Sequence, residues 1–402
     1  MKAATAVQPA GQMPKWAKAA LIAGAILLFL IVSAIVPVPV RPYLDFQVLY
    51  QANMGLLRGV SLYDHGGQVN MIAQLAHVTP EHVYVLPFPY PPWYALSTIW
   101  LAWLPIEAAA RVWFGISLVL LLASAWLLTE RWAPIRRIAA LGLAIFFLPV
   151  LGSLSVGQYG FPVLAGAALM IHALHREKAL RAAVAAALLT FKPHLGGLIL
   201  LAVLICLWQR RDAFGRRAMM YSLGAGLTLF CVGFLADRAW PVNYIRSLLS
   251  FQKDAGVASC GLCASLPVLI ADRMGSNPGL GLAVVIGIII LAVLTILWLM
   301  RRSGSMRNPY TLTAASILLV LLASPYLLNY DFVLLLVPFA LLAGGERSFG
   351  GWVVIAVAYL LPFVALGLWG RQGNFVFPLC AMLALAMLYR DKQLLDVSLP
   401  AA

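Results

Sequence analysis

Charge is what this sequence has least of. Asp and Glu number only 14 in 402 residues, and all charged residues together make up 10%. A soluble domain carries about 25% charged residues, so this chain has too little polar surface to coat a water-borne globule. Disorder is excluded too, because 63% of the residues are hydrophobic. An outer-membrane barrel would show weaker, alternating segments instead of long apolar runs. Cysteine is equally scarce, five in all and scattered apart from Cys260 and Cys263. Two cysteines do not make a zinc site, and the six histidines lack the His-Glu-x-x-His spacing. No Gly-Lys-Ser/Thr phosphate loop is present, which removes nucleotide hydrolysis and a cytoplasmic nucleotide-sugar site. No inverted pair of repeats with broken helices stands out, which weakens a transporter reading.

What is present is apolar sequence in long runs. A membrane helix needs about 20 apolar residues, so the chain has room for roughly a dozen. The expectation is an all-α polytopic bundle of about twelve spans, with 1–402 forming a single integral membrane domain. The first run, Ala19–Val38, is too long for a signal core and lacks a cleavage site, so it reads as a retained span. Others lie near 108–128, 138–152, 160–174, 179–191, 194–208, 218–236, 281–300, 308–323, 330–343, 351–369 and 373–389. Alternate loops are basic, among them Arg131–Arg137, Arg176–Arg181, Arg210–Arg217 and Arg301–Arg307. Placing this set and both termini in the cytoplasm puts 19 of the 28 Lys and Arg inside and 8 outside, with Arg111 unassigned. The net charge of +14 is then membrane topology, not a nucleic-acid surface. Parity leaves one conflict. Pro92–Leu104 is either re-entrant or laid along the outer surface, or it is a thirteenth span.

Two outer loops are long, roughly 40–91 and 237–280, and ordered loops of that size are commonly functional. The first opens Arg41-Pro-Tyr-Leu-Asp45, after which Leu49, Ala52 and Leu56 recur at helical spacing. That pattern predicts an amphipathic helix on the membrane surface. Asp45 at its start has two readings. It is an N-cap for free backbone N–H groups, or a general base held at the water–lipid boundary beside a lipid-borne substrate. Gly59–Gly67 reads as a turn, with Asp64 and His65 structural. Pro87–Tyr94 cannot be a helix interior, so Tyr90 and its neighbours line a cavity lip or belong to the interfacial belt.

Three further motifs carry polar groups between apolar runs. Gly157-Gln158-Tyr159-Gly160 offers an amide that binds a sugar hydroxyl or closes a turn. In Thr190-Phe-Lys192-Pro-His194 a cation interrupts the apolar flow. It is either a snorkelling lysine or, as is usual for costly ionisable groups at membrane depth, functional; the adjoining Pro and His favour a phosphate contact. Asn329-Tyr330-Asp331 holds a carboxylate that caps a helix, pairs with a basic residue or joins the site. In the second loop, Arg246 sits on an expected surface helix from Asn243, and Cys260 and Cys263 read as a short disulfide on the oxidising side.

Taken in order, these motifs resemble glycosyltransferase family 87, in the multi-spanning C superfamily. The matching segments are Tyr43-Leu-Asp45-Phe, Gly59–Asp64, Tyr90–Pro92, Gly157-Gln158, Phe191-Lys192-Pro193, and Ser324-Pro325-Tyr326 with Tyr330-Asp331. Some mannosyltransferases of that family carry histidines where this chain has Asn329 and Tyr330, which leaves sugar and acceptor open. The resemblance implies a sugar donor on a polyprenyl monophosphate, and a glycan or glycolipid acceptor on the extracytoplasmic face of a bacterial inner membrane. Transfer would proceed with inversion, Asp45 deprotonating the acceptor. Lys192 is the first choice for the donor phosphate, with His194 and Arg246 behind it. Tyr90, Gln158, Tyr159, Asn329, Tyr330 and Asp331 are the substrate-binding candidates. A monophosphate can be neutralised by Lys or Arg alone, and the first loop has no acidic pair with metal spacing, so no metal or cofactor is expected. The expected partners are the donor lipid, the acceptor and membrane lipids, with no nucleic acid. The rival is a transporter or flippase of lipid-linked saccharides.

Overall fold

The computed structural model describes residue 24 and residues 44–254, 263–273, 278–302, 309–324, 326–344 and 349–390. Apart from residue 24, the expected first span lies outside the described residues, as does Cys260. Within them the fold is helical. No strand occurs there, only one isolated antiparallel bridge between Cys263 and Leu328.

In chain order the helices are α1 (Leu44–Leu57), α2 (His65–Ala76), α3 (Pro92–Thr98), α4 (Ile106–Leu128), α5 (Pro134–Phe146) and α6 (Leu148–Val156). Next come α7 (Gly160–His175), α8 (Ala179–Leu189), α9 (Pro193–Gln209), α10 (Ala213–Gly233), α11 (Trp240–Asp254) and α12 (Leu266–Arg273). The last are α13 (Pro278–Arg302), α14 (Pro309–Ala323), α15 (Leu336–Gly344), α16 (Phe349–Trp369) and α17 (Val376–Arg390). Proline opens α3, α5, α9, α13 and α14, where its missing N–H costs nothing and its fixed φ suits the first turn.

By length and composition, α4 and α16 can each cross a membrane alone. At 23 residues α4 is about 34 Å long, against a hydrocarbon core of about 30 Å. A third candidate is the pair α5 and α6, bent by 54° at Phe147. Pro149 explains the break, since it removes a backbone donor in the first turn of α6. Several shorter apolar helices, α7, α8 and α9 among them, accompany these. On α16, Val353, Val357, Leu360, Val364 and Leu368 form an exposed apolar stripe. An exposed apolar face of this kind, on a helix long and apolar enough to cross a bilayer, marks a membrane protein.

The core centres on α7, which is buried on nearly every face. It packs closely on α8 through small residues: Gly166 lies against the Ala185 carbonyl and the Leu188 side chain. The Pro92–Leu104 segment is α3 plus a 3-10 turn, Ile99–Trp103, together too short to cross a bilayer. Instead it packs under α1, where Asn53 donates to the Thr98 carbonyl at 2.8 Å and Tyr50 to that of Leu104 at 2.7 Å. Protein therefore covers α1, burying Phe46, Leu49, Ala52 and Asn53, where the sequence predicts a helix facing lipid headgroups. The surface helix expected from Asn243 is α11, which exposes Val242, Ile245, Leu248 and Leu249.

Candidate active site

Four polar side chains from four separate turns meet at one end of the bundle. Asp45 belongs to the first turn of α1, a helix too short to span. Its Oδ2 accepts from Gln158 Nε2 at 2.9 Å. Gln158 Oε1 in turn accepts from Lys192 Nζ at 3.2 Å and from the Tyr159 N–H at 2.7 Å. Lys192 forms an ion pair with Asp331 Oδ1, and the other Asp331 oxygen accepts the Leu328 N–H at 3.0 Å. The Tyr330 side chain lies beside Asp45 and favours its ionised form. The result is a continuous buried chain, Asp45–Gln158–Lys192–Asp331.

Local sequence explains each placement. Gly157 takes φ +67° at the end of α6, a left-handed turn that costs glycine little, and it leaves Gln158 N–H bonded to Ser153 O at 2.9 Å. Trp113 Nε1 locks the turn by donating to the Gly157 carbonyl at 3.0 Å. Lys192 is excluded from helix because Pro193 follows it, so it sits in the non-helical turn between α8 and α9. Asp331 lies in a 3-10 turn, Asn329–Leu335, that leads into α15. Both structural readings of Asp331, cap and ion-pair partner, hold at once.

Lys192 and Asp331 are 2% and 1% exposed at the side chain. An unpaired charge at that depth would be very costly, which is why the lysine meets a carboxylate and an amide together. Burial pushes the Asp45 carboxyl above its ordinary range; Lys192, Tyr330 and Gln158 pull it down, and Asp331 adds to the rise. With both carboxylates ionised, the two aspartates and one lysine carry a net charge of −1.

Of the other candidates, Tyr159 spends its hydroxyl on the Leu49 N–H, 3.1 Å away, and so braces α1. Tyr90 stands edge-on to Tyr159, with ring centroids 4.9 Å apart, and lies within electrostatic reach of Asp45 and Asp331. His194 Nε2 is buried without a hydrogen-bond partner among the described residues, two positions beyond Lys192. Asn329 is half-buried at the start of its turn. Arg246 is exposed on α11, with no ion pair among the described residues. Two contributors have weak signals in the sequence. Ser153 donates to the Tyr330 carbonyl at 3.0 Å, and Tyr326, 40% exposed, lies within electrostatic reach of Asp331 and Asp45.

The two long loops meet beside this site. Ser61 and Asn243 donate to Asp237 Oδ2 at 2.7 and 2.9 Å, and Tyr63 donates to the Tyr90 carbonyl at 2.9 Å. Cys263 is disulfide-bonded and hydrogen-bond neighbours tie its strand-like segment to Leu327 and Leu328, below the Asp331 turn. A search of curated proteins gives no match, and a search of solved structures gives none either. The family model described as Glycosyltransferase family 87 matches residues 88–325, more than half of the chain, and this protein belongs to that family of glycosyltransferases.

Proposed function

We propose that this membrane glycosyltransferase moves a sugar from a polyprenyl-monophosphate donor to a glycan or glycolipid acceptor, with inversion, at the extracytoplasmic face of a bacterial inner membrane. About twelve spans, with both termini cytoplasmic, would carry the site there. The observation that supports this reading is the chain Asp45–Gln158–Lys192–Asp331, which sets a carboxylate of raised proton affinity a few ångströms from a buried cation.

In the proposed reaction Asp45 takes the acceptor hydroxyl proton as that oxygen bonds to the anomeric carbon. The bond from that carbon to the phosphate oxygen breaks, and the polyprenyl phosphate leaves with the electron pair. The transition state is oxocarbenium-like, and charge builds on the departing phosphate. Lys192 neutralises it, exchanging its bond to Asp331 for one to phosphate, with His194 and Arg246 as further donors. A monophosphate needs no metal for this. Gln158, Tyr90, Asn329 and Tyr330 face the sugar and acceptor.

The test is transfer from synthetic polyprenyl-phospho-sugars by purified protein. Asp45→Asn is expected to lose about 10²–10⁴-fold in turnover, the usual worth of a positioned base. Full turnover in a folded Asp45→Asn protein would overturn the base assignment.

A further inference from the structure

A cavity opens at the basic end of the bundle and runs along α15 towards the turn that carries Asp331. It measures about 520 Å³ and is bounded by α4, α5, α7, α15 and α16. Along α15 it runs from Ala343 to Leu336, and along α5 from Arg136 to Ala144, roughly 10–12 Å at 1.5 Å per helical residue. Away from the basic end its walls are mostly apolar, formed by residues such as Leu164, Leu336 and Phe339. It also reaches the surface, because Leu143 is 58% exposed and Trp352 45%.

The polar groups on this wall decide what it can hold. Thr129 spends its hydroxyl on the Ala125 carbonyl at 2.6 Å, and Tyr359 spends its own on that of Leu143 at 2.9 Å. Neither has a hydrogen left to donate to a saccharide, and a water needs two to four polar partners. Hydrocarbon suits the apolar walls. At the rim stands Arg136, the one charged residue on the lining, exposed and without an ion pair among the described residues. Its neighbours are committed elsewhere. Arg137 is stacked on Trp126 and donates to the Trp126 carbonyl at 2.7 Å, Arg131 meets His175, and Arg176 pairs with Glu130.

We propose that this cavity binds one acyl chain of an anionic phospholipid, with the headgroup phosphate on Arg136. The apolar depth and the single unpaired cation at the mouth match a molecule with a hydrocarbon tail and one negative head. The site belongs to the leaflet beside the basic loops, so it is separate from the donor-phosphate position proposed at Lys192. It also touches the catalytic end indirectly, because Leu336 continues the 3-10 turn that carries Asp331.

The test is native mass spectrometry of the delipidated full-length protein with phosphatidylglycerol or phosphatidylcholine of identical acyl chains. Phosphatidylglycerol is expected to bind about fivefold tighter, the ratio expected for one arginine at an anionic headgroup. Arg136→Gln, at an exposed position, is expected to erase that preference while a chain still binds. Ala140→Phe and Ala340→Phe, on opposite walls, are expected to weaken both lipids about tenfold. Ala140→Leu serves if the larger side chain prevents folding. Equal affinity for the two lipids in the wild type, or an unchanged preference in Arg136→Gln, would overturn the proposal. So would displacement of phosphatidylglycerol by an equimolar polyprenyl phosphate, which would assign the cavity to the donor tail.

Discussion

At Asp45, burial ties a proton affinity to folding and, in the proposed mechanism, to turnover. Its proton affinity is raised mainly by burial, with Lys192 the strongest opposing influence. A folded-state value above the unfolded one means that the protonated form is favoured by folding. The associated stability is present below the ordinary carboxylate pKa and is lost as pH rises through the folded value. Asp45→Asn is therefore expected to melt no lower than wild type at neutral pH, while turnover collapses; a scanning melt on the same samples separates the two effects. The acid limb of kcat/KM reports the free enzyme's base, so it is expected above the usual carboxylate range. Gln158→Ala removes one hydrogen bond that lowers the Asp45 value, and the limb should move to higher pH. A limb that stays in place would separate Gln158 from the base.

Among the elements, the α8–α9 turn carries the tightest requirement. A Cβ at Gly196 would overlap the Leu189 backbone carbonyl, whereas one at Gly197 would meet nothing within 4 Å. Gly196→Ala must therefore push α9 away from α8 and displace Lys192 at the start of α9. We expect a loss of about 1–3 kcal/mol, the usual cost of overpacking, with a matching loss of donor affinity. Gly197→Ala, adjacent but unobstructed, is the control and should be neutral or slightly stabilising. Melting curves of the pair measure the difference. Elements of this kind were also where the sequence was only partly legible. Apolar runs located α4, α7, α9 and α16 because burial and lipid both demand the same hydrophobic signal. The 3-10 turn at Asn329–Leu335 and the bend at Phe147 were hidden in runs that read as continuous, since hydropathy does not register backbone geometry. The fate of α1 was hidden for a related reason. Spacing shows which face is apolar, not whether lipid or α3 covers it.

For the whole molecule, the four polar members of the site were each visible in sequence, as separate motifs between apolar runs. Their meeting was not, because Gln158 is 113 residues from Asp45 and Asp331 is 139 from Lys192. Charge supplies the missing link. If basic loops lie on one side, then the turns at Gln158, Lys192 and Asp331 must all emerge on the other, and convergence at one end becomes geometrically possible. The structure places Glu130, Arg176 and Arg210 at the end opposite these turns, as that alternation requires. Membrane orientation is the remaining step in the proposed function, and cysteine labelling decides it. In a background with exposed Cys231 replaced by serine, Glu81→Cys and Arg211→Cys put thiols on two exposed loops at opposite ends. A membrane-impermeant maleimide applied to intact spheroplasts is expected to label Glu81→Cys at once and Arg211→Cys only after permeabilisation. The reverse pattern would put Asp45 and Lys192 on the cytoplasmic side and remove the extracytoplasmic assignment. Equal labelling of both in sealed cells would instead break the rule that ties the basic loops to one face.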